Sequence, residues 1–151
     1  MSRIIALAFL ALFIGPTFAQ QAVEQPAEGH SAIAKVDPRL PKPATAAVDF
    51  ARDIKPIFRD ACFKCHGPEK DKGGLSLATK ARAMEGGDDG AGIIPGNSAA
   101  SPLVHYIAAL NEDFAMPPEG ERLNSVQVGL IRAWIDQGAV WPGKGLDPNQ
   151  K

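Results

Sequence analysis

The stretch from Gly67 to Ala100 constrains the fold more than any other part of this chain. It carries Gly73-Gly74, Gly86-Gly87, Gly90, Gly92 and Pro95-Gly96, with no sustained helical or strand period. "GLSL" alternates enough for a short strand and "LATKARAME" suits a helical turn or two; the rest is expected to be irregular. Connections longer than about 12–15 residues are uncommon in small domains unless something holds them. The flanking sequence offers three helices and few aromatic residues. So small a core cannot order such loops alone, which points to a large buried non-protein group.

The folded unit around this stretch is expected to run over residues 48–142. Before it, residues 1–19, "MSRIIALAFLALFIGPTFA", read as a secretory signal peptide: a basic start at Arg3, an apolar run, a Gly-Pro break and small residues before a cut after Ala19. The apolar run is shorter than the roughly 20 residues that span a bilayer. Residues 20–47 are rich in Ala, Pro and Gln and read as a flexible linker, with His30 exposed inside it. Residues 143–151 form a polar tail. The net charge is −1 over the chain, and −2 once Arg3 leaves. No basic block suggests nucleic acid, and no cationic amphipathic helix suggests a membrane surface.

Three helices are predicted within the unit. "FARDIKPIFRDAC" spaces Phe50, Ile54, Ile57, Phe58 and Ala61 for a helix that either starts near Pro56 or is kinked there. "SPLVHYIAAL" has Ser101 as N-cap and Pro102 in the first turn. "NSVQVGLIRAWIDQG" is capped by Asn124 with Gln127 three residues on. It buries Val128, Ile131, Trp134 and Ile135, and stops at Gly138. Trp134 is expected to pack on the first helix against Phe58.

"CFKCH" holds both cysteines of the chain and one of its three histidines. A Cys-x-x-Cys pair can be a disulfide, a redox dithiol, half a zinc site or a haem attachment site. The histidine directly after it favours c-type haem: two thiols on one helical turn reach one edge of a porphyrin, and the next imidazole turns to the iron. Zinc lacks a second cysteine pair, and a dithiol lacks its alternating strands and helices. A structural disulfide stays open in an exported chain. Under the haem reading Cys62 and Cys65 form the thioethers and His66 is the proximal ligand, its ring N–H seeking a carbonyl.

The sixth iron position decides use: methionine raises the potential, whereas an open position admits small ligands. Met116, in the polar loop "DFAMPPEGERL", belongs to no helical stripe and is the favoured ligand. Met84 reads as core filler beside Leu77 and Ala81, and His105 as an ordinary helix-surface histidine. Lys64, Lys70, Lys72 and Lys80 are interrupted by Glu69 and Asp71; a mixed solvated face is expected, with a docking patch as the sharper alternative.

"CFKCHG", "KGGLSL", "GGDDGAGIIPGNSAASPL", "MPP" and "LIRAWIDQGAVWP", in that order, resemble the planctomycete-type cytochrome c domain, over about Phe50 to Pro142. The resemblance implies an all-α cytochrome c fold: three main helices with long irregular loops around one covalently bound haem c, first and last helices crossing beside it. Cys62 and Cys65 match the thioether cysteines, His66 the proximal ligand and Met116 the distal methionine. The expectation is an exported, periplasmic or otherwise extracytoplasmic monohaem cytochrome. It would pass electrons to redox partner proteins and transform no substrate itself. A haem enzyme or gas sensor with a displaceable sixth ligand is the alternative.

Overall fold

The computed structural model describes residues 36–142. The signal segment, the first part of the linker with His30, and the tail lie outside the described residues. Within 36–142 the regular elements are helical, and only two isolated bridges, His66 to Asp71 and Gly87 to Gly90, pair in β fashion. The short strand expected at "GLSL" is not formed.

The first helix, α1 (residues 50–66), begins at an Asp49 cap whose carboxylate accepts from the Arg52 N–H at 2.8 Å. It is continuous through Pro56, and the proline has a local effect. Pro56 has no N–H and its ring crowds the carbonyl four residues back. The turn Phe50–Ile54 widens, the Lys55 N–H reaching the Phe50 carbonyl five residues back. A second widened turn, Phe58–Cys62, has the Phe63 N–H on the Phe58 carbonyl. Such wide turns gather at functional sites, and this one delivers the cysteines.

Helix α2 (Lys80–Glu85), capped by the Thr79 hydroxyl, realises the turn expected at "LATKARAME" and adds a fourth helix to the three main ones. Helix α3 (Pro102–Ile107) starts at Ser101, but the Ser101 hydroxyl does not cap it. It accepts from the Ile94 N–H at 2.9 Å and donates to the Asn97 carbonyl at 2.8 Å, pinning the preceding loop instead. Helix α4 (Ser125–Asp136) has the full capping box: the Asn124 side chain accepts from the Gln127 N–H, and the Gln127 side chain accepts from the Asn124 N–H. At its other end Gly138 sits at φ 94, its N–H on the Ile135 carbonyl and the Ala139 N–H on the Trp134 carbonyl. That crossed pair closes the orphan carbonyls of the last turn.

Helices α1 and α4 pack through aromatics. Phe58 meets Trp134 edge-on, centroids 5.8 Å apart at 84°, while Trp141 lies 4.2 Å from Phe50. Val128, Ile131 and Ile135 are all buried beside them. The long loop is ordered partly by itself: the Asp88 N–H donates to the Gly73 carbonyl at 2.8 Å, and the Leu77 N–H to His66 at 2.8 Å. A Cβ on Gly87 would stand 2.2 Å from the Gly73 carbonyl oxygen, so the paired glycines permit this backbone crossing.

The flexible linker expected over residues 20–47 needs correction for its last part. Leu40 is buried in the core cluster. Residues 39–48 are strapped across the chain: Arg39 Nη1 donates to the Leu110 carbonyl at 3.0 Å, Ala44 N–H to Gly129 at 3.0 Å, Gln137 Nε2 to Ala46 at 3.2 Å, and Arg132 to the Pro41 carbonyl. Ordered packing therefore begins upstream of Val48. Prolines 41 and 43 suit this role, since each is fixed in an extended backbone and leaves no N–H unpaired.

Gly129 sits under the strap, where a Cβ would lie 2.7 Å from the Lys42 carbonyl oxygen. Gly129→Ala would gain about 1 kcal/mol of helix propensity. Overpacking against backbone costs about 1–3 kcal/mol and outweighs it. The expected result is a less stable protein whose strap, but not α4, is cut faster in limited proteolysis followed by mass spectrometry.

Candidate functional site

Cys62 ends the second wide turn of α1 and Cys65 lies one turn on, in Phe63–His66. Both are half-buried, and neither forms a disulfide. Cys62 packs against the core, and burial pushes its thiol up to about 12. It therefore stays protonated at neutral pH, which disfavours a thiolate metal ligand or a reactive dithiol.

His66 closes α1, and the returning chain stitches it in place. Besides the Leu77 bond to its carbonyl, the Ser76 hydroxyl donates to Gly67 at 3.1 Å. The His66 Nδ1 lies 3.3 Å from the Leu75 carbonyl oxygen. A carbonyl can only accept, so this contact selects the tautomer with the proton on Nδ1 and leaves the Nε2 lone pair for a metal. The sequence predicts that a carbonyl should orient this ring; Leu75 is that carbonyl. A backbone acceptor has no side-chain signature, which is why the sequence could not name it.

Met116 is half-buried and packs against the core, its N–H donating to the Tyr106 carbonyl at 2.9 Å. α3 thus fixes the backbone at the one residue of the loop expected to reach iron. A cavity of about 1060 Å³ separates the end of α1 from this loop. Cys65, Ile57 and Ala61 lie on one wall, and Pro117, Pro118 and Leu123 on the other, with Gln127 of α4 between them. It lies at the top of the roughly 300–1,000 Å³ usual for ligand clefts, as a large flat cofactor requires. Cys65 and the residues that follow Met116 thus line one space, whereas Cys62, His66 and Met116 themselves are not among its lining residues.

The other candidates fall where the sequence reading put them. Met84 is half-buried against the core. His105 Nε2 donates to the Ala99 carbonyl at 2.6 Å, a bond that ties the ring to the preceding loop. Among the described residues no helix is long and apolar enough to cross a membrane.

An all-helical domain with C-x-x-C-H at a helix end and a cleft beside it has the layout of a c-type haem protein. Residues 62–120 match the planctomycete cytochrome C family, the family the sequence motifs resemble. The matched segment runs from Cys62 through the Met116 loop and stops short of α4. No curated protein and no solved structure matches the chain.

Proposed function

We propose that this chain is an exported monohaem c-type cytochrome with the cytochrome c fold, its loops wrapping one haem c, and that it carries electrons without transforming a substrate. The observation that carries the reading is His66. Its Nδ1 is turned to the Leu75 carbonyl, so that Nε2 is available directly after two free thiols, of which Cys65 lines a cofactor-sized cleft.

The residues fit haem c in number and chemistry. When bound, that group supplies a one-electron Fe(III)/Fe(II) couple. Cys62 and Cys65 would hold it by thioethers, each S–H adding across a vinyl group so that sulfur bonds one carbon and hydrogen the other. His66 would offer its Nε2 and Met116 its sulfur to the iron. Ile57 and Leu123 give the cleft an apolar part. Lowering the local dielectric favours the less charged ferrous state and, with the thioether ligand, a raised potential.

A pyridine haemochrome spectrum after acid–acetone extraction tests attachment: haem that stays with the protein is expected, and haem that extracts overturns the reading. For ligation, Met116→Ala is expected to abolish the weak far-red band of sulfur-ligated ferric haem. It should also lower the potential by a sizeable part of the roughly 0.8 V range that axial ligands span. An unchanged band and potential would remove Met116 from the iron. Rapid carbon monoxide binding by the reduced wild type would move the assignment to a small-ligand sensor or enzyme.

A further inference from the structure

The mouth of the cleft is sorted by charge. On the α1 side Lys64, Lys70 and Lys72 are exposed, together with Glu69, Asp60 and Asp71. On the other side stand Glu119, Glu121 and Arg122. Ion pairs cancel part of this set: Asp60 with Arg59 at 2.7 Å, Asp71 with Arg82 at 3.4 Å, and Arg122 with Glu112 at 2.7 Å. Among the described residues no ion pair involves Lys64, Lys70, Lys72, Glu69, Glu119 or Glu121, and none bridges the cleft. One lip is left with three cations against Glu69, and the facing lip with two carboxylates.

We infer that the cleft mouth is a self-complementary docking face whose partner is a second copy of this chain. A face of one sign calls for a partner of the opposite sign. A face with a positive lip and a negative lip is matched by itself: a two-fold rotation about an axis through the mouth sets each lysine lip on the other copy's glutamate lip. The charge balance permits it, since a chain of net charge −1, or −2 once Arg3 leaves, repels its own copies only weakly. Charges placed at the rim set encounter rate and orientation more than affinity, so the pair is transient and small, in the class of electron-transfer encounters burying less than about 1,200 Å². Built on the haem reading, such a pair faces two haem edges and lets electrons pass from copy to copy.

The test uses the haem-loaded full chain and two variants, Lys70→Glu with Lys72→Glu, and Glu119→Lys with Glu121→Lys. Each makes both lips one sign. At low ionic strength each variant alone is expected to show electron self-exchange, read by NMR line exchange, slowed about ten-fold. The oxidised first variant mixed with the reduced second should exchange at least as fast as wild type. The differences should vanish toward 1 M salt, where screening reaches only about 3 Å. Unchanged rates in both variants, or no recovery on mixing, would overturn the inference and leave the lips to a different protein. A spin label on one variant that broadens NMR signals of the other reads the pairing without any haem. A chain lacking haem would then refute the cytochrome reading while the pairing was still measured.

Discussion

A chain in which Cys62 and Cys65 are both changed to serine is expected to leave the export machinery with no covalently bound haem, losing the whole haemochrome signal. The size of the effect follows from the chemistry of the two sulfurs. Serine keeps the shape but has no thiol to add to a vinyl carbon. Single variants should separate the two positions. Cys62 is embedded in the core with its thiol held protonated, whereas Cys65 lines the open cleft. Cys65→Ser should keep one thioether inside the packed wall and retain part of the haem. Cys62→Ser leaves only the attachment at the open side, and its haem should be the more easily lost on heating. Extraction followed by mass measurement of the intact protein checks all three. A double variant that still carries haem by mass would remove the thioether assignment.

Trp134→Ala should cost about 3–5 kcal/mol, the usual range for deleting a large buried aromatic. Trp134 is 1% exposed and touches three other rings: Phe50 at 5.6 Å, Phe58 at 5.8 Å and Trp141 at 5.7 Å between centroids. A small domain holds only about 5–15 kcal/mol in all. The loss therefore threatens folding, and a urea titration should show the midpoint collapse. Conservative variants divide packing from hydrogen bonding. The Trp134 Nε1 donates to the Val140 carbonyl at 2.8 Å, so Trp134→Phe gives up that bond as well as volume. The Trp141 Nε1 is buried without a partner among the described residues, so Trp141→Phe removes an unpaired donor and should cost less. Equal losses in the two phenylalanine variants would mean that the bond to Val140 contributes nothing.

Much of this arrangement was legible from the sequence because side chains announce it. Asn124 and Gln127 mark a helix start, Gly138 marks its end, and the spacing of Val128, Ile131 and Trp134 marks its buried face; all hold in the structure. C-x-x-C-H likewise lies at a helix end. What escaped was carried by backbone. The acceptor for His66 is a carbonyl, and the widened turns of α1 arise from bonding five residues back, which apolar spacing does not record. The strap escaped because Ala and Pro composition resembles a linker. Two clues to it lay elsewhere, in the glycine at mid-helix position 129 and in Arg132, whose guanidinium is buried against the Pro41 carbonyl and the Ser98 hydroxyl. Part of the long loop is also tied through its own backbone, by Gly73 and Asp88.

The strap also determines how the domain carries mechanical load. Its bonds to Gly129, Arg132 and Gln137 lie in succession along α4. A pull arriving along the chain from its N-terminal side would reach these bonds before it reached Asp49 and the start of α1. The force is borne by the most strongly capped helix of the domain and shared among several contacts. The helix holding Cys62, Cys65 and His66 is thereby shielded from tension applied on the N-terminal side of the strap.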